Sequence, residues 1–390
     1  MILIVSFNAR PLAQFAKDLG LEVAIVDFWG DQDLFPISNK VHTVFKPDFK
    51  SYAAFPDQKK NEDLLVKLAF QVLSTEKIDS ILIGSGLDDR PDLWSRLSSM
   101  APILGNSAEC IKQVRDLIEV HKKLQKIGIP FPHTYPLSKM KDSQNTLKFP
   151  FVIKPSKTLG GLGIRLMQNQ NEFDDFLYNN ADSLETFFIQ EYIKGENIST
   201  TVVGNKLDYK VLSINKQLIG IKHLGTEMPF KYCGNVVPYD CPLKIARKIE
   251  TCSVRISKLF DLTGVFGIDF VLKGATPYFM ELNPRFPGTI ELLYLLSHLN
   301  AIQLQLDAIK GILPKMLEKP YGYAMKCVLF AKKQLITPQL KEIPHLSDIP
   351  PPNLLLNKED PIGTLILFDK NLNELQSRMN LLVHQIYLKL

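Results

Sequence analysis

Cysteine is scarce in this chain. Cys110, Cys233, Cys241, Cys252 and Cys327 are five in 390 residues, an odd number with no CxxC pair, which excludes a disulfide scaffold and argues against a structural zinc site. The seven histidines form no HxH or HExxH, so any metal is expected on hard oxygen ligands. Charge of one sign is not in large surplus: 46 Lys and Arg stand against 41 Asp and Glu, a net +5 scattered along the chain. That pattern disfavours a dedicated nucleic-acid binder. No run approaches the roughly 20 apolar residues that span a bilayer, and no basic region precedes the apolar stretch of MILIVSFNAR. The expected location is cytoplasmic, with neither a membrane nor nucleic acid as partner. Low-complexity tracts are missing as well. With 45% apolar residues the chain reads as folded and, at about 150 residues per domain, as two or three domains.

The familiar nucleotide fingerprints are also absent. After the strand ILIV the chain turns through SFNAR rather than GxGxxG, so a dinucleotide site is not expected even though Asp27 lies about where a ribose-binding acid would. ILIV, a helical stretch over 11–19, VAIVDF and a later ILIGSG over 81–86 predict an open parallel sheet in the first hundred or so residues. Arg10 and Asp31 then stand near the carboxyl ends of its strands, as ligand contacts or as surface charges. Leu117, Val120, Leu124 and Ile127 recur at helical spacing and predict a helix over 109–127 that stops at Gly128 before IPFP. Beyond Phe149, short β-branched and aromatic runs between Gly-containing turns predict hairpins, with helices over 171–178 and 242–260. A Pro-rich stretch, IPHLSDIPPPN, precedes a strand GTLILF and a final amphipathic helix over 372–386. The fold class expected is therefore α/β followed by α+β.

Three constellations carry chemistry. In FVIKPSKTLGGLGIRL a strand ends at Lys154, and a loop holding Lys157, Gly160, Gly161 and Gly163 leads to a second strand near Ile164. Glycines at a hairpin tip let backbone N–H groups approach phosphate. The loop is no Walker motif, because GK[ST] is missing and a strand follows; alone, it is equally a plain Gly-rich hairpin. In FFIQEYIKGENIST an apolar strand runs through Gln190, Glu191, Tyr192 and Ile193 into a polar turn with Glu196 and Asn197. Such a strand offers an apolar slot and backbone edge groups to a purine, and the later carboxylate or amide can reach ribose hydroxyls. In GVFGIDFVLKGATPYFMELNPRFPG a symmetric loop over 273–277 would set Asp269 directly opposite Glu281. Asn283 and Arg285 follow on the same side, while Ile268, Phe270, Leu272, Met280 and Leu282 alternate onto a core face. Opposed carboxylates repel unless a cation lies between them, and two carboxylates with an amide oxygen suit Mg2+. Arg285 adds a planar fork for a carboxylate or a phosphoryl group.

Taken together, these residues resemble the ATP-grasp superfamily over most of the chain. SFNARPLAQFAKDLG with VDFWGD looks most like the predicted ATP-dependent carboligases related to biotin carboxylase. The resemblance implies an N-terminal Rossmann-like pre-grasp domain over 1–108 and an ATP-grasp domain over 109–318. Within the latter, a glycine-loop lid would span about 135–190 and a metal-binding subdomain about 191–318. A C-terminal α+β segment over 319–390 would pack on the grasp core. It implies Lys154 on the α and β phosphates, Lys157 and the loop glycines beside them, and Gln190 to Ile193 as the adenine hinge. Glu196 or Asn197 would meet the ribose. Asp269, Glu281 and Asn283 would hold Mg2+, as two ions, with Mn2+ as the other candidate, and Arg285 would stabilise the reacting phosphoryl or carboxylate. The activity implied is an ADP-forming carboxylate-amine ligase working through an acylphosphate on small-molecule acid and amine substrates. A carboxyphosphate-forming carboxylase using bicarbonate and a non-catalytic ATP-binding regulatory protein are the alternatives. A homodimer is compatible with it.

One departure stands out. Where many relatives open the leading helix with an Asp-Lys pair, this chain has Asp116 and Leu117, so either Lys112, Arg115 or Lys157 takes over some of that charge or the site binds nucleotide with one cation fewer. AMKC at Ala324 is not the AMKM of a biotin acceptor. Lys210, Lys222, His223, Lys231, Tyr232 and Asn235 are expected to border the acceptor site or to lie on solvated loops.

Overall fold

The computed structural model describes residues 1–46, 51, 57–142, 148–157, 160–315 and 320–390. In chain order its elements begin with β1 (Ile2–Ser6), α1 (Arg10–Asp18), β2 (Val23–Asp27), β3 (Val41–Thr43), α2 (Gln58–Thr75), β4 (Ser80–Ile83) and α3 (Pro91–Ser98). Next come α4 (Ala108–Arg115), α5 (Leu117–Lys126), β5 (Thr134–Pro136), β6 (Phe151–Pro155), β7 (Arg165–Met167), α6 (Gln170–Asn179) and β8 (Phe187–Glu191). The middle holds β9 (Glu196–Asn205), β10 (Tyr209–Ile219), β11 (Tyr232–Val237), α7 (Leu243–Leu259), β12 (Thr263–Lys273) and β13 (Thr276–Asn283). The last part comprises α8 (Ile290–Ser297), α9 (Ala301–Ile309), β14 (Tyr323–Phe330), β15 (Leu335–Ile336), β16 (Leu346–Ser347), β17 (Leu355–Leu356), β18 (Pro361–Asp369) and α10 (Leu372–Lys389).

Three sheets matter for the site. The first four strands form a parallel sheet in the order β3-β2-β1-β4. Its inner strands are buried on both faces, as their unbroken apolar runs require. A small antiparallel sheet has the order β5-β8-β6-β7, and an eight-stranded sheet runs β13-β12-β9-β10-β11-β14-β18-β16. The strands expected in the C-terminal region thus extend the same sheet that carries the acid-bearing hairpin. The interdomain boundary placed at 318 falls outside the described residues.

The helix expected over 109–127 is broken in two. Asp116 leaves helical geometry at φ −79°, ψ 86°, and its carboxylate accepts the Glu119 N–H at 3.1 Å. An aspartate that caps its own downstream turn competes with continued helix. The break leaves Arg115 as the last residue of α4.

Asp27 is buried. It accepts from Ala9 N at 2.7 Å and Gly30 N at 2.6 Å, so it staples two turns together instead of awaiting a ribose. Burial pushes its carboxyl up to about 7 against those hydrogen bonds. Arg10 is also turned inward, to Glu291 at 2.5 Å, Asp348 at 2.7 Å and Asp33 at 3.3 Å, and Asp31 is buried. Neither meets the expectation of a ligand contact.

Beneath the eight-stranded sheet, Phe266, Ile268 and Phe270 of β12 pack with Ile249 and Ile256 of α7 and Leu124 of α5. Phe266→Ala is expected to destabilise the fold by about 3–5 kcal/mol. The check is a lower urea midpoint with an unchanged slope.

Candidate functional site

The hairpin of β12 and β13 reaches the expected pairing by an unexpected route. Its turn is two residues, Gly274 and Ala275, between the paired Lys273 and Thr276. Gly274 takes φ +59°, which glycine adopts without steric cost in tight hairpin turns. Continued without a break, that register would set Asp269 opposite Met280. A one-residue shift between Asp269 and Phe270 instead pairs Asp269 with Glu281 and Gly267 with Asn283. A bulge re-aims side chains in this way. Its price is Met280, expected in the core: it lies in a cavity wall, and Phe279, only 1% exposed, occupies the core place.

The acids therefore meet on one face. Asn283 Nδ2 donates to Asp269 Oδ2 at 3.1 Å and Gln217 Nε2 to Asp269 Oδ1 at 3.0 Å. Burial, reinforced by the facing Glu281 charge, pushes Asp269 up to about 7.

These residues line a cavity of about 570 Å³ bounded by all three sheets. On the side of the small sheet, Phe151 and Ile153 turn into a local core with Phe173 and Ile189. Strand alternation therefore sends Val152 and Lys154 toward the cavity. Gln190, Glu191, Tyr192, Ile193 and Asn197 line it too, with Gln190 held by a hydrogen bond to Thr134 Oγ1 at 2.9 Å. Gly160 and Gly161 close over it. Tyr232 N donates to Gly160 O at 2.9 Å, and a Cβ on Gly161 would come within 1.9 Å of the Phe230 carbonyl. The loop can seat there only as glycine.

Other expected residues are not brought to the cavity wall. Lys157 is exposed, Gly163 packs toward Pro155, and Glu196 is exposed and pairs with Lys216 at 3.4 Å. Of the two ribose candidates only Asn197 faces the cavity. Among the acceptor candidates, Tyr232 and Asn235 line it, bonded to each other. Lys231 is paired with Glu359, Lys210 is bonded to the carbonyls of Pro314 and Lys315, and Lys222 and His223 lie outside the wall.

Sequence reasoning missed Asp88, Gln217, Glu291 and Lys326, all of which line the cavity. Asp88 follows β4 and is buried. Its Oδ1 accepts from Arg285 Nε at 2.7 Å and Arg115 Nη2 at 3.0 Å. Burial alone would raise this carboxyl, yet the two guanidinium groups hold it below the usual range. Arg115 also reaches Glu281 at 2.5 Å and Asp89 at 3.3 Å, and those acids keep it charged despite burial. The available signals were SGLDD directly after a buried strand, and a lone lysine inside the apolar run YAMKCVLF. Lysine is seldom fully buried without a partner.

Asp88 aims two cations at the acid pair. Asp88→Asn is expected to cost about 3–5 kcal/mol of stability; a lowered urea midpoint checks it, and recovery in Asp88→Glu separates charge from packing.

Comparison with known proteins agrees with this geometry. Residues 114–289 match the model of the ATP-grasp domain. An uncharacterised protein of Methanocaldococcus jannaschii is 28% identical over 93% of this chain and 87% of its own length. Biotin carboxylase from Campylobacter jejuni, solved as a βγ-ATP complex, superposes with a TM-score of 0.72 at 14% identity, covering 97% of this chain and 89% of that one. L-amino acid ligase from Bacillus licheniformis gives 0.72 at 16% identity, covering 98% and 96%. No helix among the described residues is long and apolar enough to cross a membrane. Residues 114–289 are thus similar to the ATP-grasp domain, and the ATP-grasp fold extends over nearly the whole chain.

Proposed function

We propose that the protein is an ADP-forming ligase that activates a carboxylate with ATP and joins it to an amine. The observation that carries this reading is the meeting of two walls in one cavity. Asp269, Glu281, Asn283 and Arg285 lie on one, and Lys154, Gly160 and Gly161 lie on the other. Phosphoryl transfer asks a protein for positioning and charge neutralisation rather than for a nucleophilic side chain, and this set supplies those means. The names of the solved relatives, a biotin carboxylase in a βγ-ATP complex and an L-amino acid ligase, are in keeping with it.

Asp269, Glu281 and the amide oxygen of Asn283 fit Mg2+. Asn283 directs its N–H to Asp269, which leaves its oxygen as a third hard donor. Among the described residues no group of three or more His, Cys, Asp or Glu could hold a metal ion alone, so a Mg2+ ion held here would need oxygen ligands from outside the protein as well. Bound there, one or two Mg2+ ions would neutralise charge on the transferring phosphoryl group. Lys154 steadies the phosphates, and the strand from Gln190 to Ile193 borders the purine. Asn197 is within the wall that meets the ribose.

Arg115 answers the departure at Leu117. It lines the cavity, whereas Leu117 does not enter it and Lys157 is exposed, so Arg115 supplies the cation that the leading helix lacks. Glu281 would help hold the metal ion, and Arg115, its partner at 2.5 Å, would supply positive charge toward the phosphates. Arg285 then meets the acid as its oxygen attacks the γ-phosphorus and ADP leaves. The amine nitrogen next attacks the acyl carbon; a C–N bond forms, the C–O bond to phosphate breaks, and the nitrogen gives up a proton. On this reading residues 1–108 form the pre-grasp unit, 109–318 the grasp unit and 319–390 its C-terminal extension.

Glu281→Gln keeps the side chain's shape and removes a metal-binding charge. It is expected to leave a folded protein whose ADP release in the presence of acid and amine falls about 10²- to 10³-fold. Turnover that survives the change refutes the metal assignment.

A further inference from the structure

Ser6 at the end of β1, Asn8 and Ser85 in the loops after β1 and β4, and Ile290, Glu291 and Lys326 also line the cavity. None of these is used by the nucleotide or the metal. Lys326 lies in β14 at 7% exposure, and Glu291 lies in the first turn of α8 at 8%. Lys326 Nζ donates to Glu291 Oε2 at 2.6 Å, and Glu291 Oε1 accepts from Arg10 Nη2 at 2.5 Å. Arg10 donates in turn to Asp348 at 2.7 Å. Positive and negative groups alternate along this chain and neutralise one another. Arg10 and Asp348 stay behind the wall; Lys326 and Glu291 form part of it.

Both wall groups have bonding capacity to spare. An ammonium has three donors, and Lys326 makes one side-chain hydrogen bond among the described residues. A carboxylate has about four acceptor positions, and Glu291 has two in use. Spare donors and spare acceptors therefore sit side by side, on opposite charges, in a wall shielded from bulk water. A lone anion there would meet Lys326 but be repelled by Glu291, and a lone cation would meet the reverse. A zwitterion sets each charge against its complement. Leu12, Phe286 and Ile290 in the same wall leave an apolar surface for a side chain.

We infer that this part of the cavity wall binds the amine substrate as an α-amino acid, its carboxylate at Lys326 and its amino group at Glu291. The inference rests on the ligase reading above and narrows it from amines in general to zwitterionic ones.

The test uses the full-length protein with Mg·ATP. Each of the twenty proteinogenic amino acids is offered with a panel of carboxylic acids while ADP release is followed. Any amino acid that supports release is then compared with its decarboxylated amine. The expected result is a KM at least tenfold higher for the amine that lacks the carboxylate. Lys326→Met is expected to raise the KM of the amino acid at least tenfold while leaving that of the decarboxylated amine within twofold. Equal use of amine and amino acid overturns the inference, as does a Lys326→Met variant that shifts both KM values alike. The first comparison needs no variant, so poor folding of Lys326→Met cannot protect the idea. Release with bicarbonate or simple amines but with no amino acid overturns the inference and leaves the ligase reading standing. A protein that binds Mg·ATP yet releases ADP with no acid and amine pair overturns both.

Discussion

Two carboxylates held face to face on antiparallel strands are the constraint around which this molecule is arranged. Asp269 and Glu281 are paired by register, and like charges so placed repel. The cost is visible in Asp269, whose burial and charged neighbour push it up to about 7. It is contained on the other side by Arg115, 2.5 Å from Glu281. A cation is needed at this spot whether or not a metal is present, and an arginine that can yield to one is a reversible way to provide it. The same demand accounts for Asp88, which has to hold Arg115 and Arg285 close together although they carry the same charge.

That arrangement ties the sheets to one another. Asp88 comes from the loop after β4, Arg115 from the end of α4, and Glu281 and Arg285 from the acid-bearing hairpin and the segment after it. In a second network Arg10 of the N-terminal part joins Asp33, Asp348 and Glu291, and Glu291 joins Lys326 of the C-terminal part. Buried ion pairs contribute little net stability, because desolvation offsets most of their attraction. Here they fix position. Each network joins segments hundreds of residues apart at a cavity wall, and a shift of any one segment would leave a buried charge without its partner.

Local signals were strong where the pattern depends on neighbouring residues. Alternation in ELNPR placed Glu281, Asn283 and Arg285 on one side, and alternation in FVIK sent Lys154 away from the lid core. The loop glycines were legible because only a residue without Cβ can pass as Gly161 does beneath the Phe230 carbonyl. The hairpin shows the limit of such reading. The assumed five-residue loop was wrong and the pairing right, because a two-residue turn and a bulge together bring Glu281 opposite Asp269. A bulge leaves no fixed mark in the sequence, so the exchange of Met280 for Phe279 in the core was invisible. The break at Asp116 was missed for a related reason, since an aspartate within an apolar periodicity reads as an exposed helical position until its cap is seen.

By itself the sequence determined the opening parallel strands, the strand and helix at the end of the chain, the glycine loop, and the acids, amide and arginine of the hairpin, because each follows from spacing along one segment. Tertiary structure alone decided which distant charges meet. Asp88 with Arg115 and Arg285, and Glu291 with Arg10 and Lys326, are matched by packing between sheets, and no periodicity within a strand encodes a partner from another. It also turned Asn197 and Arg115 toward the cavity and left Glu196 and Lys157 exposed. Those choices depend on which way a side chain faces once the cavity has closed around it.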